Sequence, residues 1–336
     1  MWHVGLDAHW KQSTFCVLDE NGQKIRSRTI RGGWQKVLKE LESLEEPFAI
    51  CFEASTGYGF LFEQLSRIAR QVVVAHPGQL RLIFRSKRKN DRVDAEKLAK
   101  LLFLDEVPPV YVPSIETRSW RSLIEHRRRL VLQRASTKNT IRALLRSHGI
   151  APPIRPWSRR GLAWLRQVEL PTEMNQLQLD LLIERLESLT SMIDRVEKAL
   201  GEIAGKHAGV QLLMTIPGVG VRTAEAVMAY IDDPRRFKRI KAIGSYFGLV
   251  PTQDASAKIN RLGHITGDGP ACVRWLTVEA AWQVVRRSQK VRTFFDRIHR
   301  GERERRKIAL VATAHYLLRI MLAMLRTGEV WRQEAA

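Results

Sequence analysis

The chain has 336 residues, 44% of them hydrophobic and 27% charged, enough for two or three domains that each bury a core. Fifty-six Lys and Arg against 35 Asp and Glu leave a net charge of +21; each phosphate contact releases condensed counterions, so nucleic acid is the first expected partner and an acidic membrane surface the second. No run of about 18 uncharged apolar residues and no basic-then-apolar leader occur, so neither a membrane span nor a secretion signal is expected. Cys16, Cys51 and Cys272 are too widely separated for a disulfide framework or a zinc motif, and they fit a reducing cytoplasm.

In chain order, "WHVGLDAH" reads as a buried strand that ends in an acid. "STFCVLDENGQKIRSRTI" reads as two strands around an Asn-Gly turn. A helical pattern in "GWQKVLKELESLEE" precedes the apolar strand "FAICFEA", then a helix from Tyr58 to Ile68, the strand "QVVVAHP" and helical stretches from Gly78. Hairpin connections make antiparallel pairs and helical crossovers make parallel ones. The resulting mixed sheet has the strand order of an RNase H-like α/β domain.

"DEVPPVYVPS" reads as a proline-rich boundary. Beyond it, residues 116–147 predict one long basic helix that includes Arg127 and Arg128. A second long helix, from Glu173 to Ala204, carries Leu179, Leu182, Leu186, Leu189, Ile193, Val196 and Leu200 at heptad spacing. That seam fits an intramolecular hairpin or a dimer contact equally. Next, "IPGVG" reads as a helix-hairpin-helix turn, in which Gly218 and Gly220 expose backbone N–H groups to a phosphate, or as a plain turn. The remainder is a polar loop region followed by a helical, basic C-terminus.

Four acids carry the chemistry. Asp7 ends the first strand and Glu53 the fourth, so parallel neighbours would bring both to one sheet edge. Asp91 and Asp94 stand three apart in "KNDRVDAEKLAK". On that stretch alone they read first as a helix first turn, where acids offset the dipole, with one helical face that shares a divalent metal as the alternative. The strand order favours the second reading, because four clustered carboxylates repel one another at low dielectric unless cations or protons intervene. Mg2+ or Mn2+, as hard cations, suit oxygen ligands, and a pair of them assists phosphodiester cleavage.

Asp7 in "GLDAH", Glu53 in "FEAS" and the pair in "KNDRVDAEKLA" resemble the DEDD pattern of a group of insertion-sequence transposases that includes the pilin-gene invertase and the bridge-RNA-guided recombinases. "IPGVG", "GLVP" and "RLGHIT", followed by Gly269 and Arg274, are similar to the second half of that family in the right order. The resemblance implies a RuvC-like domain over residues 1–106, a helical linker and coiled-coil region over 107–206, and a transposase domain over 207–330. It implies a serine nucleophile, for which the matching position is Ser256 in "TQDASAK". Ala257 follows it where the family usually has glycine, and alanine tolerates positive φ poorly. Without the resemblance nothing selects Ser256 over Ser136 or Ser245.

The resemblance further implies DNA partners (element ends and target), a noncoding guide RNA, a dimer or tetramer, and a bacterial cytoplasmic location at the nucleoid, with no membrane. Lys87, Arg88 and Lys89 are candidate phosphate contacts beside the metal. Arg127 and Arg128 join them on the basic helix, and Arg261 and Arg274 are candidates for the scissile phosphate, since a guanidinium fork suits phosphate oxygens. The competing readings are a metal-only nuclease or junction resolvase without a covalent intermediate, and a non-catalytic nucleic-acid-binding protein on the same scaffold.

Overall fold

Apolar alternation over the first 75 residues produces five strands: β1 (Trp2–Ala8), β2 (Gln12–Leu18), β3 (Lys24–Arg31), β4 (Phe48–Glu53) and β5 (Gln71–Ala75). The computed structural model describes residues 1–83, 90–153, 155–256 and 259–332. It divides into two units, Met1–Ile115 and Glu116–Ala336.

In the first unit the sheet order is β3-β2-β1-β4-β5, antiparallel through β3, β2 and β1 and parallel from β1 to β4 to β5. This is the mixed order expected from the sequence. The β2–β3 turn is closed by the Asp19 carboxylate, which accepts from the Asn21 and Gln23 backbone N–H groups at 2.9 and 2.7 Å, with Gly22 at φ +76°. Helices α1 (Trp34–Glu42), α2 (Tyr58–Leu65), α3 (Pro77–Ile83) and α4 (Asp91–Phe103) complete the unit. α1 stops at Glu42, short of the expected Glu46, ahead of Pro47, which disfavours helix in the residue before it. α2 ends at Leu65 because the chain tightens there, with Ile68 N–H reaching only to Leu65 O.

The strand period of two sorts large from small. Val4, Leu6, Phe15, Val17, Ile50 and Phe52 pack with Trp34, Leu61 and Leu65 under α1 and α2. On the opposite face Cys16 and Leu18 meet Ala95 and Ala99, while Ala49 and Cys51 meet Leu98 and Leu101, all on α4. The buried thiols act as small apolar residues, as their strand positions suggest. Gly5 shares that small-residue face. A Cβ there would fall 2.0 Å from Ala95 O and 2.3 Å from Ala99 N, so only glycine lets α4 approach β1 this closely.

The second unit comprises α5 (Ile115–Ser147), α6 (Arg159–Leu165), α7 (Glu173–Lys206), α8 (Ala208–Met214), α9 (Val221–Ile231), α10 (Ala242–Tyr246), the hairpin β6 (Pro251–Ser256) and β7 (Ile259–Ile265), α11 (Ala271–Arg287), α12 (Gln289–His299) and α13 (Arg306–Thr327). The α7 seam packs on α5 within the chain: Leu179, Ile183 and Leu186 on Ile141 and Leu145, then Leu189 and Ile193 on Leu130. Of the two sequence alternatives for that seam, this is the intramolecular hairpin, with Ile183 taking the buried place expected of Leu182.

The stretch Arg303–Thr327 is long and apolar enough to cross a membrane by length and composition, which the sequence reading did not anticipate because Arg319 interrupts the run. Half of its most apolar window is buried. Ala314, Leu317, Leu318 and Met321 join Val227, Val284 and Val291 in one core, the position of a central core helix.

Candidate carboxylate site and nucleic-acid residues

Register places the strand acids. β1 pairs with β4 in parallel, Gly5 opposite Cys51 and Leu6 opposite Phe52, so Asp7 and Glu53 follow side by side at the same edge. Both share parity with Gly5 and Cys51, and therefore stand on the face that α4 covers. α4 starts at that edge. Asn90 caps it, its side chain accepting from Arg92 N–H at 3.0 Å, and Asp91 and Asp94 fill the first turn. Glu96 fixes the helix rotation through ion pairs at 2.8 Å to Lys24 on β3 and to Lys100. These amines, Lys100 foremost, hold the Glu96 carboxyl down to about 2.

The four acids converge unevenly. Ligand atoms of Asp7, His9 and Asp91 lie within 4.8 Å of one another. His9 Nε2 is 3.3 Å from Asp7 Oδ1, and Gln12 Nε2 donates to Asp91 Oδ2 at 3.2 Å. Asp94 Oδ1 lies 3.5 Å from Lys97 Nζ. Burial raises the Asp7 carboxyl above its ordinary range; His9 opposes the rise, and the carboxylates of Asp91, Asp94 and Glu53 add to it. Glu53 and Asp94 thus sit close enough to act on Asp7, outside the tight group. A hard divalent cation would relieve this repulsion, and the oxygen-rich donor set with one imidazole fits it.

His9 and Gln12 escaped the sequence reading. The available signal was "GLDAH" itself, since positions two apart in extended chain share a side. Gln12 becomes visible only once the β1–β2 hairpin folds it back, with His9 N–H donating to Gln12 O at 3.1 Å.

The other candidates are placed within their own elements. Ser256 ends β6, opposite Ile259 in the hairpin register, in the second unit. Lys87, Arg88, Lys89 and Ala257 lie outside the described residues. Arg127 Nε donates to Glu197 at 2.7 Å and ties α5 to α7, while Arg128 Nε donates to Glu125 at 3.1 Å. Gly218, at φ +98°, turns the chain between α8 and α9, where a Cβ would fall 2.9 Å from the Gln283 backbone; Gly220 caps α9. Arg274 Nη1 donates to the carbonyls of Gly269 at 3.0 Å, Phe247 at 3.3 Å and Asp268, clamping two loops together. Arg261 is exposed on β7. Among the described cations, then, Arg127, Arg128 and Arg274 already have protein partners.

Two family models match the chain, one described as a DEDD transposase over residues 4–150 and one as the transposase family of IS116, IS110 and IS902 over residues 210–296. The chain is 28% identical to a family 20 transposase named in Pseudomonas aeruginosa, over 85% of this chain and 86% of that one. It is 25% identical to the transposase for insertion sequence element IS1111A of Coxiella burnetii, over 84% and 78%. It is 27% identical to a Sinorhizobium fredii protein whose name marks it as a transposase (y4qE), over 74% of this chain, and spans 62% of that protein's length.

Proposed function

The chain belongs to the transposase family of the IS110, IS116 and IS902 insertion sequences, and from that premise we propose that it cuts and rejoins DNA through Ser256, assisted by Mg2+ or Mn2+ held by Asp7, Glu53, Asp91 and Asp94. The observation that carries this reading is the gathering of Asp7 and Asp91, with His9, within 4.8 Å at the end of the parallel β1–β4 pair. A bound divalent ion supplies Lewis-acid stabilisation of charge developing on a phosphate.

The chain's own groups have distinct tasks. Gln12 orients Asp91 by its hydrogen bond, and His9 holds Asp7 from the solvent side. Ser256 Oγ attacks a DNA phosphorus and displaces the 3′ oxygen. The serine proton passes to that oxygen in the net reaction, leaving a 3′-hydroxyl and a 5′-phosphoserine bond. Attack by another strand's 3′-hydroxyl reverses these bonds and frees the serine. The RuvC-like part, residues 1–106, contributes the acids, the region 107–206 is the helical linker, and the transposase part 207–330 contributes the nucleophile. A homodimer or tetramer on the bacterial nucleoid, guided by a noncoding RNA that pairs with donor and target DNA, belongs to the same proposal. The +21 charge supports a protein holding that much phosphate.

A metal-dependent nuclease without a covalent intermediate is the second reading. It is favoured by one observation: all four acids belong to the first unit, and Asp91, Asp94 and Glu53 act on Asp7 within it. A denaturing gel with labelled element-junction DNA, cognate RNA and Mg2+ separates the two. We expect a covalent protein-DNA adduct in wild type that disappears in Ser256→Ala and Asp91→Ala. Cleavage without an adduct, undiminished in Ser256→Ala, would leave the nuclease.

A further inference from the structure

At the same sheet edge as the carboxylates, but on the face that α1 and α2 cover, stands a row of aromatic rings that the proposed chemistry does not use. Trp10 follows Asp7 by three residues and is 71% exposed; Phe60, in the first turn of α2 after Glu53, is 45% exposed. Trp34 lies buried between them. Its ring meets Trp10 edge-on at 5.2 Å and 80°, and Phe60 stacks on it at 6.0 Å and 22°. Trp34 is fixed to the acid site directly, because its Nε1 donates to His9 O at 3.1 Å. It is fixed from the other side by Gly57, at φ +83°, where a Cβ would fall 2.3 Å from the ring. The chain segments that leave the two acid-bearing strands thus deliver two exposed rings to one rigid indole.

We propose that Trp10, Trp34 and Phe60 form a stacking platform for an unpaired base of the DNA strand whose phosphate the carboxylates engage. This rests on the reading of the carboxylates as a nucleic-acid site. Base stacking on aromatic rings tolerates any sequence, because every base has a π-face. Inside a duplex those faces are already stacked and out of reach, so the platform takes only a base that has left its pair. The surroundings argue against a protein partner. The residues flanking Trp10, His9 and Lys11, are exposed, as is Arg31, opposite Gln12 in the hairpin. Polar and cationic neighbours suit a phosphate strand, whereas a protein interface centre is depleted of charge.

The test uses the full chain in Ca2+, a hard cation that suits oxygen ligands, and fluorescence anisotropy with a labelled DNA single strand of about 16 nucleotides and the matching duplex. A stacked base is worth about fivefold to about 150-fold in affinity. We expect Trp10→Ala and Phe60→Ala each to weaken single-strand binding by about tenfold and duplex binding by less than about twofold, with Trp10→Phe close to wild type. Trp10 is largely exposed, so its replacement leaves the core intact. Unchanged single-strand affinity overturns the platform, as does an equal loss on both DNAs. A change of oligomeric state in Trp10→Ala, seen by light scattering, overturns it in favour of a contact between copies. Anisotropy reads binding whether or not a covalent adduct forms, so failure of the covalent adduct and failure of the platform are read separately.

Discussion

Gly5 decides how the acids meet. With Ala95 and Ala99 opposite, it brings α4 onto β1 at backbone contact, and the N-terminus of α4 then arrives beside Asp7. A methyl group at Gly5 meets main-chain atoms, which cannot turn aside as a flexible side chain does. Gly5→Ala is therefore expected to push α4 outward, cost about 1–3 kcal/mol, and separate Asp91 from Asp7. Thermal melting with and without Mg2+ measures both effects: a ligand that binds only the folded form raises Tm, so the variant should melt lower and gain less from Mg2+. A variant that gains as much as wild type would show that α4 packing does not hold the acids together. The four acids themselves were legible as residues at strand ends and a helix start. The requirement at Gly5 was not, because it depends on what packs against the strand.

At the scale of elements, α5, α7 and α9 each contribute to a charge cluster around the buried Glu225. Arg222 Nη1 donates to both Glu225 oxygens at 2.8 and 3.1 Å, and Arg127 and Glu197 stand nearby. Glu225 is 1% exposed, and burial pushes its carboxyl up to about 7 against the pull of Arg222 and Arg127. In the unfolded chain the carboxyl titrates near 4.5. Between about pH 4.5 and 7 the folded form therefore binds more protons than the unfolded form, and stability falls as pH rises. The contribution over that window is on the order of 3 kcal/mol. Glu225→Gln keeps the shape and an acceptor for Arg222 but cannot ionise. Its Tm should vary less between pH 5 and about 7 than that of wild type, which should decline; parallel curves would assign the pH dependence to other groups. The helices were readable because heptad spacing, caps and prolines are local signals. Their ionic contacts were not: Arg127 reads as a free cation in "EHRRRL", and only the fold of α7 onto α5 brings Glu197 to it.

For the whole molecule, net charge points to a phosphate-bearing partner but not to where it is held. Arg127 is turned toward a carboxylate, and Arg121, Arg236, Arg274 and Arg326 toward backbone carbonyls, so these cations stabilise the second unit before they meet any ligand. Sequence order gave no means of separating them from surface cations such as Arg261. Salt dependence does separate them, since the slope of log K against log salt is about −0.9 for each phosphate neutralised. On duplex DNA, Arg261→Ala is expected to flatten that slope by about one and leave Tm unchanged. Arg274→Ala should lower Tm, because it leaves three loop carbonyls without their donor, and its slope should match wild type once the measurement is made well below the melting range. The reverse pattern, a flattened slope for Arg274→Ala at unchanged Tm, would show that Arg274 leaves its three carbonyls to bind phosphate, the role for which its guanidinium fork makes it a candidate.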